Sequence, residues 1–516
     1  MTDTRSARAL ADLPERFNAA DDLIVPNLAV RPDKVAIFDH RGACTYAQLS
    51  DRIDRMAGVW ASLGVKPGDR VLLCLLDTRD FPTVFLGAIK AGVVPVPLNT
   101  LLTADDYDWI SQNSGAKALF VSGELAEKWS KANLKIPVFT SEGTGPGKDL
   151  ESLIAASAPC GAPADTGRDD TAFWLYTSGS TGRPKAAMHR HAAMRLTANL
   201  YGVGTAGYHA DDVILSVAKQ FFAYGLGNAL SFPFAVGASV VLHKDRPTPE
   251  SISALLVEHK VTILGGVPTF FAGWLADAAC PAQDQVPGLR LALSAGEALP
   301  AHLGDAFRAR FGADILDGLG STELLHIFIS QRPGAVRYGC TGKPVDGYRV
   351  RVVDDTGADA ADGETGDLLV CGPSAASAYW QNPEKSAATF QGNWTATGDK
   401  YVRDADGWLT YAGRGDDMLK VGGIYVSPIE VEQALASHPA VCEAAVVGSA
   451  DASGLIKPRA YVVLHSDTAP LDTIKAELQA HVKTRLAPYK YPRWINFVDA
   501  LPKTATGKIQ RFVLRD

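Results

Sequence analysis

Runs of four to six consecutive apolar residues recur along this chain, each followed by a segment whose apolar positions repeat at helical spacing. RVLLCLLD (70–77) leads into DFPTVFLGAIKAG (80–92), and VTILGGV (261–267) and LRLALSAGE (289–297) repeat the apolar run. Strands that are apolar throughout, not alternating, belong to parallel sheets covered on both faces by helices. That texture extends from about residue 35 to about residue 340. After Lys343 it gives way to shorter strands punctuated by turns, in YRVRVVDDTG, GDLLVCG and GWLTYAGRGDD. The tail then resets. Ser427-Pro428-Ile429-Glu430 has the N-cap, the first-turn proline and the glutamate of a capping box, so it predicts a helix ending near SHPA (437–440). Strands VCEAAVVGS and RAYVVLHS follow, then a helix around TIKAELQAHVKTRLA. The predicted class is α/β: a large N-terminal body of stacked, mostly parallel sheets with helices plus a small β-rich subdomain, then a small mobile α+β C-terminal domain. The expected division is 1–414 and 415–516. No internal repeat is visible, and SAPCGAPADTG (157–167) reads as a surface connection.

Composition narrows the function classes. The chain has 516 residues, 47% of them hydrophobic and 21% charged, enough for roughly three average-sized domains or for one large composite and a small one. A formal net charge of -7 and the lack of a Lys/Arg cluster argue against a nucleic-acid partner, because binding to phosphate backbones rests on clustered cations. Seven cysteines lie far apart with no C-x-x-C pair, which fits a reducing compartment. The amino terminus has no apolar core resembling a signal peptide. The expectation is a cytoplasmic protein with no membrane partner.

The chemistry enters with YTSGSTGRPK (176–185). An apolar strand, Ala172 to Tyr176, empties into Thr177, Ser178, Gly179, Ser180, Thr181 and Gly182, with Lys185 beyond. Glycines let backbone approach a ligand closely, hydroxyls and N–H groups donate to phosphate oxygens, and the lysine adds a point charge. The spacing differs from GxxxxGK[ST], since two residues separate Gly179 from Gly182 and Arg-Pro precedes Lys185, so a P-loop kinase or ATPase is disfavoured. Read alone, the stretch is either a phosphate loop or a solvated Ser/Gly linker.

With four further stretches in the same order, it resembles the signature set of the adenylate-forming superfamily, which contains acyl-CoA synthetases, peptide-synthetase adenylation domains and luciferases. The others are DGLGSTE (317–323), TGD (397–399), GRGDDMLKVGG (413–423) and PKTATGK (502–508), so the resemblance spans essentially the whole chain. Ala186 departs from the family's usual glycine, which bears on the exit of the loop.

The resemblance implies a reaction in which a carboxylate attacks the α-phosphate of ATP, and two anions must be brought together by positioning and electrostatics. It implies that Ser178, Thr181 and Lys185 hold the departing phosphates, that Thr322 bonds the α-phosphate, and that Glu323 helps hold Mg²⁺. Asp399 takes the ribose hydroxyls with Arg414 beside it, and Lys508 bridges substrate carboxylate and nucleotide oxygens. Ala295, Gly296 and Glu297, with Asp317, Gly318 and Leu319, surround the adenine. Asp416 is the hinge about which the small domain turns for thioester formation, Gly422 and Gly423 border the CoA channel, and Lys420 faces the site in that second state. Each motif alone has a plainer reading: Gly-Ser-Thr-Glu and Thr-Gly-Asp are ordinary turns, Asp416-Asp417 fits a hairpin turn, and Lys508 is one lysine of a basic tail.

KQFFAYGLGN (219–228) and GSTELLHIF (320–328) look most like benzoate-CoA and hydroxybenzoate-CoA ligases. By that resemblance the acid pocket is lined by Phe222, Ala223, Tyr224, Gly225, Gly320, His326 and Ile327, flat apolar walls with a glycine floor. The expected substrates are ATP, CoA and a benzoate-type acid. Furoate or cyclohexanecarboxylate, a carrier-protein acceptor in place of CoA, and a nucleotide-binding regulator without turnover are the alternatives. A homodimer is left open, and the family resemblance marks Lys508 as a target for a lysine acetyltransferase.

Overall fold

The computed structural model describes residues 10, 12–130, 135–143, 145, 147–177, 183–415, 417–421, 424–451, 455–465, 472–486, 489–503 and 509–515. They form two compact units, Met1–Arg349 with Val370–Thr395, and Val350–Leu369 with Ala396–Asp516. The expected boundary after Arg414 is a cut inside the second unit, because strand Leu409–Arg414 pairs with Trp394–Arg403.

The first unit has the expected mostly parallel texture. Its nine-stranded sheet is parallel from Val35–Asp39 through Ser239–Val241, Val213–Ser216, Ile263–Gly266 and Leu291–Ala295 to Asp314–Gly320. Antiparallel strands close both edges, Gly42–Thr45 on one and Ile327–Ser330 followed by Lys343–Pro344 on the other. A five-stranded parallel sheet runs Val94–Pro97, Arg70–Cys74, Ala118–Ser122, Val138–Ser141, Lys148–Asp149. Helix Asp80–Lys90 is buried at every position, packed against helices Ala19–Val30 and Tyr46–Ser62 and strands Arg70–Cys74 and Val94–Pro97. Its partner Tyr46–Ser62 starts at Thr45 with a complete capping box to Gln48. Thr171–Thr177 and Lys185–Arg190 form a separate antiparallel hairpin. The stretch 157–167 is irregular and largely exposed, as the surface reading requires.

In the second unit, strands Val441–Ala450, Ile456–Leu464 and Trp494–Phe497 form a three-stranded sheet with helices Pro428–Ala436 and Asp472–Arg485. The expected capping box at Ser427 is half made. Its side chain accepts from the Glu430 N–H at 3.2 Å, but Glu430 turns away to Lys490 at 2.6 Å, where full charge outcompetes a backbone donor. The hairpin reading of Asp416-Asp417 is corrected as well. The flanking strands do not pair with each other, since Leu409–Arg414 pairs with Trp394–Arg403 and Leu419–Val421 with Ile424–Val426. No helix among the described residues is long and apolar enough to cross a membrane.

Candidate active site

Parallel strands deliver their carboxyl ends to one edge of a sheet, where ligands of α/β folds bind. Here Ser294 and Ala295 stand opposite Asp317 and Gly318, and Gly320 opposite Ile327. Three sequence-predicted groups are thereby brought together: the Ala295-Gly296-Glu297 turn, Asp317 to Gly320, and His326 with Ile327. Gly296 turns at φ +92°, a conformation that favours glycine, and Glu297 accepts from the Thr269 hydroxyl at 2.9 Å. Asp317 is buried, its Oδ1 has no partner among the described residues, and burial pushes its carboxyl well above the usual carboxylate range. Gly318 and Gly320 have no room for a side chain: an added Cβ would come within 2.9 Å of the Ile327 side chain and 2.8 Å of the His326 backbone, respectively.

Between Gly320 and Ile327 the chain makes a tight turn that carries Thr322 and Glu323. Leu325 sits in it at φ +67°, a left-handed conformation that costs a leucine about 1–2 kcal/mol. Such strain persists only where neighbours hold it. Leu325 donates to the Thr322 carbonyl, His326 to the Leu324 carbonyl, and Ser374 Oγ to the same Leu324 oxygen at 2.7 Å.

His326 is the hub of an aromatic cluster, with ring centroids 4.5 Å from Phe232, 5.2 Å from Tyr201 and 5.6 Å from Tyr224. Burial pushes its imidazole down to about 3, so it is neutral at ordinary pH. Its Nε2 lies 3.3 Å from the Tyr224 carbonyl oxygen, which can only accept, so Nε2 carries the hydrogen. Nδ1 is then a buried acceptor, and no donor among the described residues reaches it. Phe222 precedes the short helix Ala223–Leu226, and Phe222, Ala223 and Tyr224 are each half-buried. An added Cβ on Gly225 would lie 2.0 Å from the Lys219 carbonyl oxygen, and one on Gly227 2.2 Å from the His326 ring. Six of the seven predicted pocket residues lie on these two segments and meet through the contact between Tyr224 and His326; Ile327 follows directly in the edge strand.

At the base of the opening loop, Thr177 pairs with Lys185 across the hairpin. Sequence reasoning missed the residue that joins this hairpin to the turn. Tyr379 donates its hydroxyl to Glu323 Oε1 at 2.7 Å, and Lys185 Nζ lies 5.4 Å from the centre of its ring. No local signal in SAYWQNPE marks it, since both contacts are remote in the chain.

In the second unit, Asp399 and Arg414 are cross-strand neighbours, and Arg414 donates to the largely buried Asp399 carboxylate at 3.1 Å. Gly398, at φ +76°, lets Arg414 lie across it. Ser178, Gly179, Ser180, Thr181, Gly182, Asp416, Gly422, Gly423 and Lys508 lie outside the described residues, as does the side chain of Lys420.

Two family models match the chain, AMP-binding enzyme over residues 26–380 and AMP-binding enzyme C-terminal domain over residues 430–508. It is 52% identical to a benzoate–CoA ligase of Thauera aromatica, over 98% of this chain and 96% of the relative. It is 47% identical to a 4-hydroxybenzoate–CoA/benzoate–CoA ligase of Rhodopseudomonas palustris, over 97% and 94%. Among solved structures, a benzoate CoA ligase from Burkholderia xenovorans superposes with a TM-score of 0.92 at 50% identity, covering 97% of this chain and all of that one.

Proposed function

Because this chain belongs to the AMP-binding enzyme family, we propose that it is an AMP-forming acid–CoA ligase for a benzoate-type aromatic carboxylate. Two displacements make up the reaction. A carboxylate oxygen attacks the α-phosphorus of ATP, the bond to the β-phosphate bridge breaks, and pyrophosphate leaves an acyl-adenylate behind. The sulfur of CoA then attacks the acyl carbon, the bond to AMP breaks, and the thiol proton passes to solvent.

The observation that carries the substrate class is the 52% identity to a benzoate–CoA ligase across nearly the whole of both chains. The His326 cluster supports it: edge-on and tilted rings around a neutral imidazole suit a flat aromatic body, and glycines at 225 and 227 let the walls close on each other. Thr322 and the phosphate loop with Lys185 bind the phosphates, Asp317 and the 295–297 turn flank the base, and Asp399 with Arg414 takes the ribose. Asp416 acts as the hinge about which the small domain turns, with Gly422, Gly423 and Lys420 serving the thioester half.

Mg²⁺ fits Glu323. Among the described residues no group of three His, Cys, Asp or Glu forms a cage, so the ion would share one carboxylate with phosphate oxygens and water, its usual manner with nucleotides. When bound it offsets phosphate charge during the first displacement.

A carrier protein in place of CoA, or furoate or cyclohexanecarboxylate as the acid, is the second reading, and the same first displacement serves all of them. The test is isotope exchange between pyrophosphate and ATP. Benzoate should support exchange in the wild type, and Lys508→Ala should lower it by at least about a hundredfold while sparing CoA attack on supplied benzoyl-adenylate. Equal loss of both halves would refute the role of Lys508, and exchange with octanoate but not benzoate would refute the substrate class.

A further inference from the structure

We propose that Tyr379 is a positioning residue that sets Glu323 for its metal ion and Lys185 for phosphate, a role that rests on the ligase reading above. Its backbone is clamped from two sides. Toward the hairpin that carries Lys185, Ser377 N donates to the Met188 carbonyl at 2.9 Å, Met188 N to Ala378 at 3.0 Å and Trp380 N to Ala186 at 2.9 Å. Toward the catalytic turn, Ala376 N donates to the Glu323 carbonyl at 2.8 Å. Tyr379 N also donates to Ser386 Oγ at 2.9 Å, and the ring packs against Phe390 with centroids 5.3 Å apart. The side chain is 4% exposed, so its rotamer is held by packing, not by the groups it serves.

From that fixed position one side chain reaches two charges of opposite sign. The phenol donates to one oxygen of Glu323, which fixes the carboxylate's orientation without neutralising it and leaves the remaining lone pairs for a cation. The ring face takes the Lys185 ammonium 5.4 Å from its centre, a π contact that helps orient the lysine toward phosphate. Packing alone requires only the ring. A hydroxyl 2.7 Å from the carboxylate of the catalytic turn goes beyond that requirement, and this excess is what the role explains.

The two contacts separate experimentally. Tyr379→Phe removes the phenol and keeps the ring; Tyr379→Leu removes both. ATP affinity is read by intrinsic fluorescence, without turnover, in excess MgCl₂ and in EDTA. Tyr379→Phe should cut the Mg²⁺-dependent tightening of ATP by about tenfold and leave the EDTA affinity within about twofold. Tyr379→Leu should also weaken binding in EDTA. In the Glu323→Gln background, adding Tyr379→Phe should change nothing, because the phenol acts through the carboxylate it no longer orients. An unchanged Mg²⁺ effect in Tyr379→Phe, or additive losses in the double variant at unaltered melting temperature, would overturn the proposal. Failure of benzoate-dependent exchange in a wild type that shows these ATP effects would overturn the ligase reading and leave the role of Tyr379 standing.

Discussion

Single residues set the pH range of this protein. His189, His191 and His326 are buried, and burial pushes their imidazoles to about 3, about 4 and about 3 from an ordinary 6.5. The unfolded chain takes up protons below pH 6.5 that the folded chain refuses, so each histidine costs stability as pH falls, about 2 kcal/mol apiece by pH 5. Asp77 opposes them. Its folded value is raised to about 6 by burial, so its protonation favours the folded state as pH falls, by about 1 kcal/mol at pH 5. The net expectation is a melting temperature clearly lower at pH 5 than at pH 7, and a flat or rising profile would contradict it. Gly227 gives a second residue-scale prediction. Its added Cβ would meet the His326 ring at 2.2 Å, so Gly227→Ala should displace that ring and raise the KM for the aromatic acid by about tenfold with the KM for ATP unchanged. Parallel losses in both constants would argue for general unfolding. Of these residues, His326 and Gly225 stood out in the sequence by resemblance. Asp77, His189 and Tyr379 did not, because their burial and partners arise only when distant segments meet.

Elements show where local reading succeeds and where it stops. Helix Asp80–Lys90, the strand ending at Ala295 and the helix Pro428–Ala436 are visible in the sequence because period and capping residues are local properties. The strand path is not visible, since Val35–Asp39 lies beside Ser239–Val241 by a pairing no neighbouring residue encodes. Nor could the spacing reveal that Leu325 is held left-handed, a strain borne by contacts from Ser374 and the Thr322 carbonyl. In the second unit, Glu432 joins three elements: it accepts from the Val446 N–H at 2.7 Å and from Arg511 at 2.7 Å, and it is 9% exposed. Glu432 makes the shorter of the ion pairs to Arg511, with Asp417 farther off at 3.9 Å, so Glu432→Ala should cost about 3 kcal/mol in urea denaturation. A loss below about 1 kcal/mol would mean that the pair is solvated and energetically idle.

At the scale of the whole molecule, five short motifs scattered between Tyr176 and Lys508 identify the family, although each alone is an ordinary turn or loop. The fold explains part of this order. Parallel strands bring residues 295–297, 317–320 and the 320–327 turn to one edge, and strands Trp394–Arg403 and Leu409–Arg414 set Asp399 against Arg414. The central claim is that this assembly makes an aromatic acyl-CoA from a free acid. The most direct test is mass-spectrometric detection of thioester, with AMP quantified alongside, in the presence of ATP, Mg²⁺ and CoA and one acid at a time: benzoate, its hydroxy and fluoro derivatives, furoate, cyclohexanecarboxylate, acetate or octanoate. The account predicts benzoyl-CoA and AMP in equal amounts, with kcat/KM for benzoate exceeding that for octanoate and acetate by at least about a hundredfold. AMP released without thioester, or a preference for acetate or octanoate, would contradict it.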